Sequence, residues 1–282
     1  MISAILEYQF MRHAMITCLL SGITCGIIGV IIIEKKLIMM SGGIAHTAFG
    51  GVGLGYLLGF EPIIGAFIFS VLSSLGIGFV KRRGGARTDV IIGLLWSFGM
   101  ACGVFFIGLK KGLTPDIGSY LFGNILSVLK TDIYLMIALT ILVVFAVTAL
   151  YSHWKSYLFD QEFATVSGIN TTFLEYFLLV LIAMTVVVLI RSVGIILVMA
   201  LLTAPAATAS LFTKKLKSRI LVAIFFSLIF SFIGLWLSYS FDIASGASIV
   251  FVSAVTYMVI LVINTYLKKR REIFRGRKNV GY

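Results

Sequence analysis

Nine apolar stretches of 18–23 residues, separated by short segments that carry most of the charges, constrain this chain more than any other feature. A helix needs about 20 mostly apolar residues to cross a hydrocarbon layer roughly 30 Å thick. Each stretch therefore predicts one membrane-spanning helix. The predicted spans are 11–33, 42–59, 62–80, 91–110, 131–151, 171–190, 192–213, 219–239 and 246–267.

The composition agrees with this interpretation and excludes a soluble enzyme. Of the 282 residues, 60% are hydrophobic and 12% are charged, against roughly 45–50% and about 25% in soluble domains. Because the spans leave little chain over, we expect one all-α integral membrane domain over 1–282. Segment 116–129 is too short to cross and predicts a partial helix at the membrane face or dipping into the bundle. A break in 42–59 or 192–213 would change the count of nine to eight or ten.

Basic residues predict the orientation of the bundle. Eighteen of the 23 Lys and Arg residues fall in alternate loops and in the tail 268–282, which places them on one side. The positive-inside rule makes that side cytoplasmic, with the N-terminus outside and the C-terminus inside. The net charge of +12 therefore indicates topology rather than a nucleic-acid partner, and the tail is expected to contact anionic membrane lipid. The loop residues are Lys35, Lys36, Lys81, Arg82, Arg83, Arg87, Lys155, Lys214, Lys215, Lys217 and Arg219.

His46 is the clearest candidate site residue within a span. Polar side chains in the hydrocarbon layer are costly, so they are the first candidates for function. Neutral imidazole is a good ligand for zinc and other divalent ions, and Thr47 lies beside it on a possible substrate path. The alternative is a structural histidine that is hydrogen-bonded to a neighbouring helix.

Pro205 interrupts the hydrogen-bond pattern of the span 192–213. Proline lacks an N–H and collides with the carbonyl of Leu201, which then needs another partner. The hydroxyls of Thr203 and Thr208 could provide one. Thr203, Pro205 and Thr208 are therefore candidates for lining a substrate path, and a kinked packing helix is the alternative.

Three charged residues near the outer ends of the spans are expected to be peripheral. Asp116 and Asp242 are interpreted as solvated loop carboxylates. Arg191 lies in a tight turn and is expected to extend to the membrane interface. GxxxG spacings at Gly22–Gly26 and across 51–59 predict close helix packing.

The connection 153–170 lies on the predicted cytoplasmic side and is the longest interior one. Asp160 is placed to cap a short helix that ends at Gly168. Phe159, Phe163 and Val166 recur at spacings of four and three, which favours one apolar helix face. Asp160 and Glu162 lie off that face, and the segment is either an interface element or a docking surface for a soluble partner.

Nucleotide-hydrolysing motifs are absent from the sequence. It contains no G-x-x-x-x-G-K-[ST] phosphate loop and no common catalytic or metal motif. ATP-driven transport would therefore require ATP to be hydrolysed on another subunit. The chain is expected to be no enzyme and to hold no permanently bound cofactor.

Several segments together resemble the membrane permeases of ATP-binding-cassette importers for divalent metals, of the zinc and manganese type. They occur in the family's order and cover most of the chain. The matching stretches are 41–58 around Ala45-His46-Thr47-Ala48, 88–100, 119–126, 159–168, 194–209 with Ala204-Pro-Ala-Ala-Thr-Ala209, and 239–250.

The resemblance implies a type II importer-like permease in the plasma membrane of a prokaryote. It implies two permease chains, two cytoplasmic ATPase subunits and an external metal-binding protein, with Phe159, Asp160, Glu162, Phe163 and Gly168 in the ATPase-coupling segment. The cargo would be Zn, Mn or Fe ions, carried by alternating access.

The family's metal site is only partly present. His46 matches the family's histidine as a metal ligand, whereas the family's aspartate, four residues earlier, is Gly42 here.

Two other functions stay open at this point. One is a permease for an iron chelate or a vitamin, which has a related bundle. The other is a secondary transporter or channel, although the sequence has no evident internal repeat and no acidic pair for ion coupling.

Overall fold

The computed structural model describes residues 7–83, 88–110, 117–123 and 125–279, and the regular structure in these ranges is helical. The helices are α1 Gln9–Glu34, α2 Ile38–Leu58, α3 Pro62–Arg82, α4 Thr88–Leu109, α5 Ile117–Phe122, α6 Lys130–Ala149, α7 Tyr151–Phe159, α8 Gln161–Val166, α9 Thr171–Val193, α10 Ile195–Phe212, α11 Leu216–Phe241 and α12 Ser245–Asn279. A 3₁₀ turn at Ile125–Ser127 lies between α5 and α6.

The predicted all-α membrane bundle is confirmed. Within the described ranges, eight helices are long and apolar enough to cross a membrane, and each coincides with a predicted span. The ninth predicted span corresponds to α2, which is unbroken over 21 residues. It is not among the eight because its glycines, with His46 and Thr47, lower its mean hydropathy. A break was also considered for the span 192–213, which corresponds to α10 and is continuous as well.

Four helices form the centre of the bundle. In α2, 14 of the 21 residues are buried. Most of the α1, α9 and α10 spans is buried, whereas α4 and α12 are mainly exposed. The exposed side chains of α4 include Leu94, Phe98 and Phe105. Apolar side chains on the outside of a membrane bundle contact lipid tails, so their exposure is expected.

Polar contacts define two ends of the bundle. At one end, Lys35 contacts α7, and Lys81 and Arg82 both pair with Glu175 on α9. Arg219 of α11 pairs there with Glu34 of α1. We call this the basic end. The loops that were predicted to share a side do lie together; Arg87 lies outside the described residues.

Small residues permit close helix approaches around α2. A Cβ on Gly51 of α2 would overlap the carbonyl of Gly65 on α3, so glycine is required for this contact. Gly22 and Gly26 of α1 likewise face α11, as the GxxxG spacing predicted. Gly59 was wrongly included in that pattern. Its φ of 78° places it at the left-handed C-cap of α2, where glycine has no steric penalty.

The described part of segment 116–129, residues 117–123 and 125–129, contains a partial helix, as predicted. Helix α5 and the 3₁₀ turn contact α1, α9, α10 and α12 at the end opposite to the basic end. Ile125 is buried there, and its N–H donates to the Ser245 hydroxyl at 3.2 Å. The segment therefore dips into the bundle. Asp116 lies outside the described residues.

Candidate functional site

His46 belongs to α2, and its imidazole is half-buried between α2 and α4. Its ring stacks on the indole of Trp96, with 4.4 Å between the ring centroids and 20° between the planes. Nδ1 is buried and has no hydrogen-bond partner among the described residues. The stack on Trp96 therefore helps to position the ring, and Nδ1 makes no hydrogen bond to a neighbouring helix among the described residues.

Trp96 occupies the space next to Gly42, one turn before His46. A Cβ built on Gly42 would lie 2.8 Å from Cζ3 of Trp96 and 3.1 Å from Cε of Met199 on α10. A carboxylate at this position would have to displace the indole. The space beside Gly42 is therefore filled by the indole, which the sequence alone did not reveal.

Thr47 uses its hydroxyl to join two helices. The hydroxyl donates to the Gly43 carbonyl at 2.7 Å and lies 3.3 Å from the Leu95 carbonyl on α4. Thr47 thus helps to hold α4, and with it Trp96, against α2. Within the part of the chain that the structure describes, no three His, Cys, Asp or Glu side chains come together to hold a metal ion.

Three candidate residues lie on α10, and their distance from the His46 region increases from Thr203 to Pro205 to Thr208. Met199, which reaches Gly42, accepts a hydrogen bond on its carbonyl from the Thr203 hydroxyl at 2.8 Å. Pro205 and Thr208 are buried further along, where Ala206 faces Gly29 of α1.

The prediction that a threonine hydroxyl replaces the lost partner of the Leu201 carbonyl was wrong. Thr208 donates to the Ala204 carbonyl at 2.7 Å, and Thr203 donates to Met199. Threonine in a helix generally bonds the carbonyl four residues earlier, which explains both contacts.

The predicted short helix in 153–170 is confirmed as α8. Asp160 caps it, because its carboxylate accepts hydrogen bonds from the N–H groups of Glu162 and Phe163 at 2.9 and 3.1 Å. Gly168 ends the turn with a φ of 82°, and Ile169 N–H donates back to the Ala164 carbonyl at 3.0 Å.

Large apolar side chains of this segment are exposed at the basic end. The exposed fractions are 89% for Phe159, 62% for Phe163 and 88% for Val166. The expectation that all three share one helix face was wrong, because Phe159 ends α7 and Asp160 separates it from α8. A contiguous exposed apolar surface marks contact with lipid or with another protein.

Lys35 fastens this segment to the bundle. Its Nζ donates to the Tyr157 carbonyl at 2.9 Å and to Oε1 of Gln161 at 3.3 Å, and it lies 3.4 Å from the centroid of the Tyr157 ring. Burial, and then the positive charge of Lys81, lower the pKa of Lys35 to about 8. In the sequence, Lys35 indicates only the topology, because no spacing links it to a residue more than 120 positions away.

At the opposite end, Arg191 is exposed near the end of α9, where it was expected to extend to the membrane interface, and it also forms two ion pairs. Its guanidinium pairs with Glu61 and with the buried Asp132, at 3.0 Å in each case. Arg191 and Glu61 line a cavity of about 300 Å³ together with Tyr56 and Tyr120, whose hydroxyls lie 2.7 Å apart. Asp242 is an exposed left-handed C-cap of α11, in agreement with its interpretation as a loop residue.

Comparisons with known proteins give consistent results along nearly the whole chain. The chain is 40% identical over 256 residues to an uncharacterized membrane protein of Synechocystis sp., covering 91% of each chain. It is 36% identical to the manganese transport system membrane protein MntC of Listeria innocua, covering 99% of this chain and 98% of the relative.

The fold also matches a solved structure. That structure is PsaBC from Streptococcus pneumoniae in complex with an Fab, with a TM-score of 0.85 and 33% identity. The match covers 95% of this chain and 98% of the other. The model of the ABC 3 transport family matches residues 7–264. This chain, which folds as a membrane bundle with an unbroken α2 and a capped α8, therefore belongs to the ABC 3 transport family.

Proposed function

We propose that this protein is the permease subunit of an ATP-binding-cassette importer for divalent metal ions, as one domain over 1–282. The observation that carries the proposal is the His46 imidazole, half-buried in α2 with an unpartnered Nδ1. Family membership supports an ATP-driven mechanism over a secondary transporter. The manganese transport named for the Listeria relative supports a metal cargo over an iron chelate or vitamin.

The importer is proposed to work as an assembly. One imidazole supplies one ligand, so a second copy of the chain, related by a two-fold axis, would supply another His46. Separate cytoplasmic subunits bind and hydrolyse ATP, and an external protein delivers the metal. The permease is a conduit rather than an enzyme. Switching between outward- and inward-open states moves the ion past His46.

The basic end is proposed to face the cytoplasm of a prokaryotic cell. Its lysine and arginine content supports this orientation by the positive-inside rule. The N-terminus is then outside, the C-terminus is inside, and α8 faces the ATPase. Phe159, Asp160, Glu162, Phe163 and Gly168 form the proposed coupling segment, in which Asp160 and Gly168 shape the helix and Phe163 is the exposed anchor.

The surroundings of His46 favour zinc or iron over manganese as the cargo of this chain. Trp96 and Met199 lie where a side chain at position 42 would extend, so no carboxylate oxygen is provided there. Imidazole nitrogen suits zinc and iron, whereas carboxylate oxygen suits manganese.

The remaining candidate residues are assigned to the proposed substrate path. Thr203 lies one turn from Met199 on this path, and Thr47, Pro205 and Thr208 shape the helices around it.

Metal uptake by the native cell tests the proposal. In a strain that lacks this gene, a plasmid copy should restore cellular zinc or iron, and the His46→Ala variant should not. Thr148→Ala is the matched control, because Thr148 is an exposed residue of α6 that bonds only within its own helix. Normal metal content with a well-expressed His46→Ala protein would contradict the role of the imidazole.

A further inference from the structure

A cavity of about 620 Å³ at the basic end has no role in the proposed transport path. It lies between the end of α1, helix α7 and the start of α11, and four lysines line it: Lys155, Lys214, Lys215 and Lys217. Its volume is within the range of roughly 300–1,000 Å³ that is typical of small-molecule sites.

The charges of the cavity are unbalanced. The acidic group in its wall, Glu34, pairs with Arg219, whose guanidinium also donates to the Thr213 carbonyl at 3.0 and 3.1 Å. The four lysines are exposed, and among the residues that the structure describes none of them has an ion-pair partner. Four positive charges around one concave space strongly favour an anion.

The depth of the cavity identifies the source of that anion. Glu34 is the last residue of a membrane span and Leu216 is the first residue of another. The cavity therefore lies beside the ends of two membrane-spanning helices, which is where lipid headgroups are expected. Leu216, Leu158 and Tyr151 supply apolar and aromatic wall next to the lysines. A phosphate that is attached to a glycerol and acyl chains meets both kinds of wall, whereas free phosphate meets only the lysines.

We propose that this cavity binds the phosphate of an anionic phospholipid headgroup. The lysines neutralise the phosphate, and the glycerol end packs against the apolar wall. Phe159 also lines the cavity, so the bound lipid would hold the end of α7 against the start of α11. The site depends on neither the transported ion nor His46, so loss of metal uptake in His46 variants has no bearing on it.

Native mass spectrometry of the purified protein in detergent, titrated with phosphatidylglycerol, tests the proposal. The variant is Lys215→Gln/Lys217→Gln. Because a basic residue near an anionic lipid surface contributes about 1 kcal/mol, losing two should weaken binding about thirtyfold. The matched control, Arg12→Gln/Lys130→Gln, removes the same charge from exposed residues at the opposite end of the bundle and should bind like the wild type.

Two further ligands identify the source of the phosphate. Phosphatidylcholine should bind much more weakly than phosphatidylglycerol, and inorganic phosphate at millimolar concentration should not displace the lipid. Displacement by inorganic phosphate, or equal loss in both double variants, would overturn the proposal. It would also be overturned if the Lys215/Lys217 variant kept its lipid and lost the ATPase subunit, since the cavity would then be a protein-docking surface.

Discussion

Replacing Phe163 by alanine should weaken binding of the ATPase subunit without affecting the fold. Phe163 lies on α8, and 62% of its side chain is exposed, so little of the internal packing depends on it. An aromatic side chain offers roughly 150–250 Å² for burial. The exposed part therefore amounts to about 125 Å², which contributes about 3 kcal/mol at roughly 25 cal/mol per Å² if a partner covers it fully.

That free energy corresponds to about a 150-fold increase in the dissociation constant. Partial coverage by the partner would reduce the effect, so we expect an increase of about 30- to 150-fold. The assay immobilises the permease in lipid nanodiscs and titrates the purified ATPase subunit. Thermal unfolding of the permease alone should be unchanged, because the residue is exposed on a short surface helix.

Phe241→Ala is the matched control for this measurement. Phe241 is 66% exposed and ends α11 at the opposite end of the bundle. It removes a similar apolar area from a surface that the ATPase cannot reach in the proposed orientation. A dissociation constant for Phe163→Ala within threefold of wild type would refute the reasoning. Equal weakening by Phe241→Ala would refute it as well.

Three further changes test the packing of the bundle. Pro205→Ala should restore a helical hydrogen bond to the Leu201 carbonyl and reduce metal uptake at near-normal expression. Gly51→Ala should destabilise the protein by about 1–3 kcal/mol, because the added methyl overlaps the Gly65 carbonyl. Burial lowers the pKa of Lys35 from 10.5 to about 8, so the folded state releases this proton first as pH rises. The thermal stability of the wild type relative to Lys35→Met should therefore increase between about pH 8 and pH 10.5.

Each of these three predictions has a defined contrary result. Wild-type uptake by Pro205→Ala would exclude a role for the helix interruption in transport. Gly76→Ala is the control for Gly51, because nothing lies within 4 Å of a Cβ at Gly76; equal destabilisation by both would show that contact with α3 is not the cause. A difference between wild type and Lys35→Met that is constant with pH would mean that Lys35 titrates normally.

Features that depend on neighbouring residues in the chain could be predicted from the sequence. The membrane spans follow from continuous apolar runs, and α8 follows from a capping aspartate and a glycine at the correct spacing. The grouping of the basic loops at one end follows from the alternation of the spans. These signals are local, because each is set by the backbone hydrogen bonds and solvation of one short segment.

Contacts between distant residues could not be predicted. The stacking of Trp96 on His46 and the pairing of Arg191 with Glu61 and Asp132 join separate helices. No periodicity in the sequence relates such residues, and their geometry depends on the crossing of whole helices. The departure at Gly42 was visible in the sequence, whereas the indole that occupies the adjacent space was not.

Helix α2 shows why hydropathy alone is a poor guide to the helix that carries the site. A span that faces lipid needs apolar side chains, because hydrocarbon offers no hydrogen-bond partner to a polar group. Helix α2 packs instead between α3 and α4, at contacts close enough to require glycine at Gly51. Glycine lowers its mean hydropathy, and so does the imidazole that we propose as the metal ligand. Shielding from lipid is thus what permits both close packing and a polar ligand, so the site is expected in the span with the weakest hydropathy signal.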